Sequence, residues 1–413
     1  MSEQKEAPAP LSLFAGYGIE LEYMIVARDS GDVLPVADRV LELEAGKITN
    51  AVEHGAIAWS NELVLHVIEL KTNGPAPALE PLADLFLRDV QRINRHLDQL
   101  DGRLMPTAMH AWMDPARETV LWPHDDREIY TAYDRIFNCQ GHGWSNLQSM
   151  HINLPFAGDA EFRRLHTAIR TLLPVMPAIA ASSPLLEGQL TGFLDTRLET
   201  YRFNARRIAS IAGLVVPEFV ATRREYEQRI LAPMYADIAP HDPAHVLQYE
   251  WLNSRGAIAR FDRSAIEIRV LDTQETPRAD LAVAAAIVAV LRALTGGRWT
   301  SAEEQGGIAT EVLAALFLDC VRDADQAVIQ ERDFLRLFAF PDKDCRAGEL
   351  WQYLMDECGG GDWADMVRGI GRDGCLARRI RQAVGRDARR ARVEETYRVL
   401  CRCLDEDVLF EGI

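Results

Sequence analysis

Four short stretches alternate apolar side chains with acidic, imidazole or guanidinium ones at a period of two, and each predicts a β-strand. They are residues 18–23 (GIELEY), 67–71 (VIELK), 150–154 (MHINL) and 266–270 (IEIRV). Residues two apart in a strand point the same way, so Ile19, Leu21 and Tyr23 face one side and Glu20 and Glu22 the other. Ile266, Ile268 and Val270 likewise oppose Glu267 and Arg269. In one sheet, these strands would turn an apolar face toward helices and gather carboxylates, a histidine and an arginine on the opposite face.

The remaining pattern is mostly helical. Leu82, Phe86, Val90, Ile93, Leu97 and Leu100 recur at helical spacing over 80–100. Helices are also expected over 159–181, where Pro174 and Pro177 kink or end the run, over 222–236, and over 278–294. Residues 104–110, 246–252 and 258–271 read as strands, and 112–143 and 182–197 as loops. From about residue 300 the chain is largely helical, with an interruption at the three glycines 359–361. Strands mixed irregularly with helices favour an α+β antiparallel sheet over a doubly wound one. The expected organisation is a disordered lead-in over 1–12, an α+β domain over 13–300, and a helical region over 301–413 packed on it. No Gly-x-Gly-x-x-Gly or Walker-type loop follows a strand, which argues against a Rossmann or P-loop site.

Composition narrows the classes. A net charge of −17 argues against a nucleic-acid partner. No apolar run approaches the roughly 20 residues of a membrane span, and the start of the chain lacks a signal-peptide pattern. Seven scattered cysteines without a Cys-x-x-Cys pair point to a reducing cytoplasm and structural thiols. The basic run 378–398 is interleaved with apolar residues and reads as a solvated helix face.

The polar strand positions carry the chemistry. Glu20 and Glu22 share a face and repel each other unless a cation lies between them or the face is simply wet. His151 at a strand centre is either a core histidine or, beside carboxylates, a metal or phosphate ligand. Glu267 and Arg269 together suit a metal–phosphate complex, or else form a plain ion pair. Arg197, Arg255 and Arg260 add guanidinium nearby. Hard oxygen ligands select Mg²⁺ or Mn²⁺. Glu62 and Glu69 lie seven apart, which puts them on opposite faces of one continuous strand unless a turn or bulge intervenes.

In this order, the Gly-Ile-Glu-Leu-Glu segment, the Glu62…Glu69 pair with Thr72, Met-His-Ile-Asn, the run from Ser182-Ser183-Pro184 to Arg197, and Ile-Glu-Ile-Arg-Val-Leu-Asp-Thr resemble the glutamate–cysteine ligase-like carboxylate–amine ligases over about 14–295. The resemblance implies a glutamine synthetase-like fold, a curved antiparallel sheet with helices on its convex face and the site on its concave face. It implies Glu20, Glu22, Glu62, Glu69, His151 and Glu267 as metal ligands and Arg269 as the phosphoryl-binding arginine. Thr72, Asn153, Arg197, Arg255 and Arg260 are carried as ATP or substrate contacts. The chain departs from the family at Ile19-Glu20-Leu21-Glu22, where many members read three glutamates, and at Asn153, where a second histidine is usual.

The implied activity is ATP- and Mg²⁺-dependent (or Mn²⁺-dependent) amide formation between a small carboxylate, glutamate foremost, and an amine. A phosphotransferase of the guanidino-kinase type and a non-catalytic ATP- or metal-binding relative are the alternatives. Association into a homo-oligomer is left open.

Overall fold

The computed structural model describes residues 10–413; residues 1–9, most of the expected lead-in, lie outside the described residues. The catalytic-looking strands form one antiparallel sheet. Its members are β1 (Gly18–Ala27), β2 (Ala51–His54), β3 (Ile57–Asn61), β4 (Val67–Thr72), β5 (Gly102–Met105) and β6 (Ser149–Pro155). A two-residue hairpin, β7 (Leu185–Leu186) and β8 (Gln189–Leu190), stands apart, and β9 (Ala257–Arg260) and β10 (Ala265–Asp272) complete the main sheet. The order is β2-β3-β4-β1-β6-β10-β9, with β5 beside the second half of β1 where β6 has ended.

The apolar face is sealed as the alternation predicts. Ile19, Leu21, Tyr23, Ile68, Leu70, Ile152, Leu154, Ile266 and Ile268 are buried in one core. Against it lie the helices Leu82–Leu97, Gly158–Leu172 and Pro277–Thr295, which supply Phe86, Val90, Ile93, Leu165, Ile169, Ile287 and Leu291. Ile152 is fully buried on β6, between β1 and β10, so Ile152→Ala is expected to cost about 3 kcal/mol, read as a lower urea midpoint at unchanged slope.

The opposite face changes character along β1. Beyond Glu20 and Glu22 it continues as Met24 and Val26, which join a second core with Val67 and Met105. Leu376, Ile380, Val393, Tyr397 and Leu400 close that core from the helices Leu376–Val384 and Arg390–Glu406. The basic run 378–398 therefore has an apolar side that covers the end of the sheet. No described helix is long and apolar enough to cross a membrane.

Three local expectations change. Residues 258–271 form a hairpin, β9 and β10, turning through 261–264 with Ser264 at φ 52°. Residues 246–252 are not a strand: the N–H groups of Val246 and Leu247 donate to the Asp242 carboxylate (3.1 and 2.8 Å), and a 3₁₀ turn follows at Glu250–Leu252. The stretch 112–143 contains the helix Arg127–Phe137, which buries Ala132 and Ile136.

Candidate active site

Cross-strand register builds the site row by row, because directly opposed residues share a face. In one row Ser60, Glu69 and Glu22 lie side by side on β3, β4 and β1. In the next, Lys71, Glu20 and His151 lie on β4, β1 and β6. In the third, Gly18, Asn153 and Glu267 lie on β1, β6 and β10. A Cβ at Gly18 would stand 2.9 Å from that of Asn153, so only glycine leaves this side chain room. Asn153 then donates to Glu20 Oε1 at 2.9 Å.

These rows floor a cavity of about 470 Å³ lined by Glu20, Glu22, Glu62, Glu69, Lys71, His151, Arg260, Arg263, Glu267 and Arg269. Asn50, Ala51, Ser60, Asn61, Tyr130 and Trp251 complete its wall. Among the described residues, Glu20, His151 and Glu267 offer ligand atoms within 4.8 Å of one another. That set of two carboxylates and one imidazole fits a hard divalent cation. His151 Nδ1 lies 3.0 Å from Glu20 Oε2 and 3.8 Å from Glu267 Oε1. Its Nε2 meets the Ser149 hydroxyl at 2.9 Å, and the Ser149 N–H donates to Glu22 Oε2 at 2.6 Å. Both ring nitrogens are thereby fixed.

Glu267 is also the anchor of the basic side. Arg269 Nε stands 2.9 Å from its Oε1 and Arg260 Nη1 3.5 Å from its Oε2. Arg269 donates further to the Asn253 carbonyl at 3.2 Å.

Crowded charge sets the protonation states. Burial would raise Glu20, but the hydrogen bond and charge of His151, with Lys71, hold it well below the usual carboxylate range. Burial and the charge of Glu20 push Glu69 up to about 7 against the pull of Lys71 and Ser60. Burial together with Glu22 and Glu69 drives Glu62 well above its ordinary value. Burial works against His151 imidazolium, yet Glu20, Glu22 and Glu267 raise it to about 9.

The candidate residues fall into two groups. Glu20, Glu22, Glu62, Glu69, His151, Glu267, Arg260 and Arg269 line the cavity, and Asn153 braces Glu20. Glu62 reaches it because it follows β3 and precedes β4, in the connection and not on the strand of Glu69. Thr72, Arg197 and Arg255 stand outside the lining. Thr72 Oγ1 accepts the Ile19 N–H at 3.3 Å. Arg255 forks onto Glu218 at 2.6 and 2.7 Å and donates to Asn253 Oδ1 at 3.1 Å, so it supports the residue whose carbonyl holds Arg269. Arg197 is buried, pairs with Asp272 at 2.5 Å and donates to the Arg269 carbonyl at 3.3 Å.

Removing Arg197 leaves the Asp272 carboxylate buried without its guanidinium. Arg197→Met is therefore expected to cost about 3–5 kcal/mol of stability in urea unfolding. A loss under about 1 kcal/mol would contradict a structural role for the pair.

The sequence profile of glutamate–cysteine ligase family 2 matches residues 17–310, a span that contains every strand of the main sheet. The chain belongs to glutamate–cysteine ligase family 2. It is 38% identical over 277 residues to an uncharacterized protein of Archaeoglobus fulgidus, covering 67% of this chain and 74% of the relative. It is 26% identical over 300 residues to a protein of Nocardioides sp. provisionally named glutamate–cysteine ligase 2-1, covering 70% of this chain and 68% of that one.

Two solved structures share the fold. A bifunctional glutathione synthetase from Pasteurella multocida aligns with 94% of this chain at 14% identity and a TM-score of 0.57, and this chain spans 53% of its length. A glutamate–cysteine ligase from Francisella tularensis, in complex with AMP, aligns at 13% identity and a TM-score of 0.51, covering 94% of this chain and 91% of that one. Membership of family 2 makes the chain a ligase of the carboxylate–amine class.

Proposed function

We propose that this family 2 ligase uses ATP to join the side-chain carboxylate of a glutamate-like acid to an amine through an acyl phosphate. The observation that carries the reading is Glu267, which touches both the Glu20–His151 pair and the two guanidinium groups of Arg260 and Arg269. Glu20, His151 and Glu267, flanked by Glu22, Glu62 and Glu69, would hold Mg²⁺ or Mn²⁺, which when bound neutralises phosphate charge on the nucleotide. Arg269 and Arg260 present fixed donors to the equatorial oxygens of the transferring phosphoryl group, where charge spreads during transfer. A carboxylate oxygen of the acid attacks the γ-phosphorus in line as the bond to ADP breaks, and the amine then attacks the acyl carbon, expelling phosphate and giving up a proton to form the amide. Tyr130 and Trp251 wall the cavity and limit access of water to the acyl phosphate. The stretch 112–143 contributes Tyr130 to that wall, whereas 182–197 contributes no lining residue.

Purified protein with ATP, Mg²⁺ and glutamate is expected to release ADP only when an amine from a panel is added. Amine-independent phosphorylation of the acceptor, or no ADP release from any acid, would overturn the proposal. Cation affinity is expected to depend on pH. Below about 7 Glu69 carries a proton, burial with Glu22 and Glu69 keeps Glu62 protonated well above the ordinary carboxylate range, and His151 is imidazolium below about 9. Ligands bind only in deprotonated form, so Mn²⁺ affinity should rise at least about tenfold from pH 6 to pH 8 with proton release into the buffer. A flat calorimetric profile would contradict these protonation states.

A further inference from the structure

The chain uses arginine as its default cation. Of 45 basic residues only four are lysines, Lys5, Lys47, Lys71 and Lys343. Lys71 is one of the residues lining the cavity. It faces the site from β4, opposite Glu20, and its ammonium is paired with Glu69 Oε2. Glu20 adds its charge to that pairing, and Glu62 does so once it is ionised. Arg260 and Arg269, by contrast, stand against Glu267 at the other side of the same cavity. A lysine is a compact charge on a flexible four-carbon stem, whereas a guanidinium is a planar fork suited to a fixed bidentate partner. The Lys71 side chain is 38% exposed, so it has room to leave.

We infer that Lys71 is a built-in counter-ion: it neutralises the Glu20–Glu62–Glu69 side of the cavity until a divalent cation binds there, then turns to an anionic oxygen of a substrate. The inference rests on the proposed cation site. Without Lys71, carboxylates stacked across β1 and β4 face each other uncompensated, and a cation gains what the ammonium supplied. With the cation in place, the displaced ammonium remains within its own stem length of the cavity, where a phosphoryl or a carboxylate oxygen offers the same chemistry.

The test is Mn²⁺ binding without nucleotide, by calorimetry, to the full chain and to Lys71→Met and Lys71→Arg, with folding checked by thermal unfolding. Lys71→Met is expected to bind Mn²⁺ about tenfold tighter, since it removes a competing charge, while Lys71→Arg stays within about threefold of the parent. Unchanged or weaker binding by Lys71→Met overturns the inference, as does equal tightening in both variants, which would be a packing effect. If Lys71→Met does not fold, Lys71→Gln carries the same expectation.

No Mn²⁺ binding by the parent protein would instead remove the cation site itself. At saturating Mn²⁺, Lys71→Met is then titrated with ADP and with glutamate. The one that weakens about tenfold names the oxygen Lys71 takes, a loss typical of one charge-assisted hydrogen bond. If neither weakens, the second half of the inference fails.

Discussion

Glu267→Gln is expected to lower kcat about 10³-fold and to weaken Mn²⁺ binding about 100-fold. One carboxylate serves three partners here: His151 at 3.8 Å, Arg269 at 2.9 Å and Arg260 at 3.5 Å. The amide keeps the shape but removes the charge, so two guanidinium groups and a positively charged imidazole lose the carboxylate they share. Damage to the cation site and to the phosphoryl-binding arginines arrives together. Calorimetry with Mn²⁺ and steady-state ADP release, measured on the same preparation, separate the two losses. Turnover within tenfold of the parent would sink the assignment of Glu267 to the reaction centre.

Arg269→Met should lower kcat by a comparable factor, about 10³, yet leave Mn²⁺ affinity within about threefold of the parent. Arg269 projects from β10 beside Glu267 and is steadied from behind by the Asn253 carbonyl, at 3.2 Å. Its charge matters most where phosphoryl oxygens gain negative character, so the loss should fall on kcat and not on the KM for the amine. Arg269→Lys is expected to recover little, because a point charge does not reproduce a fork held by two partners. If the KM for the amine rises while kcat holds, Arg269 belongs to substrate binding instead.

The face of each strand was legible because a period of two assigns side chains to sides without knowledge of neighbours. Register was not. Nothing in the spacing of Glu20, His151 and Glu267 places the first two in one row across β1 and β6 and the third in the next row on β10; pairing between distant segments does that. Glu62 shows the limit most clearly. Its odd separation from Glu69 conflicts with a shared face, and the connection between β3 and β4 removes the conflict.

Lys71 and Ser149 carried a signal that passed unused, since each lies two residues from a proposed ligand on the same face. Tyr130 was hidden in a stretch read as loop, although Ile129, Ala132 and Ile136 mark one side of a helix there. Arg255 entered the candidate set by charge, and Arg197 by charge together with the resemblance of the segment it ends. Their burial against Asp272 and Glu218 depends on tertiary packing that no local pattern reports.

The second core also sets an order of assembly during synthesis. Met24 and Val26 leave the ribosome early, but their cover comes from Val393, Tyr397 and Leu400, near the end of the chain. At roughly 5–20 residues per second the interval is on the order of tens of seconds. Throughout it, the acidic strand of the site carries a bare apolar stripe at its far end. A nascent chain arrested before residue 390 should therefore engage holdase chaperones, and released full-length chain should not.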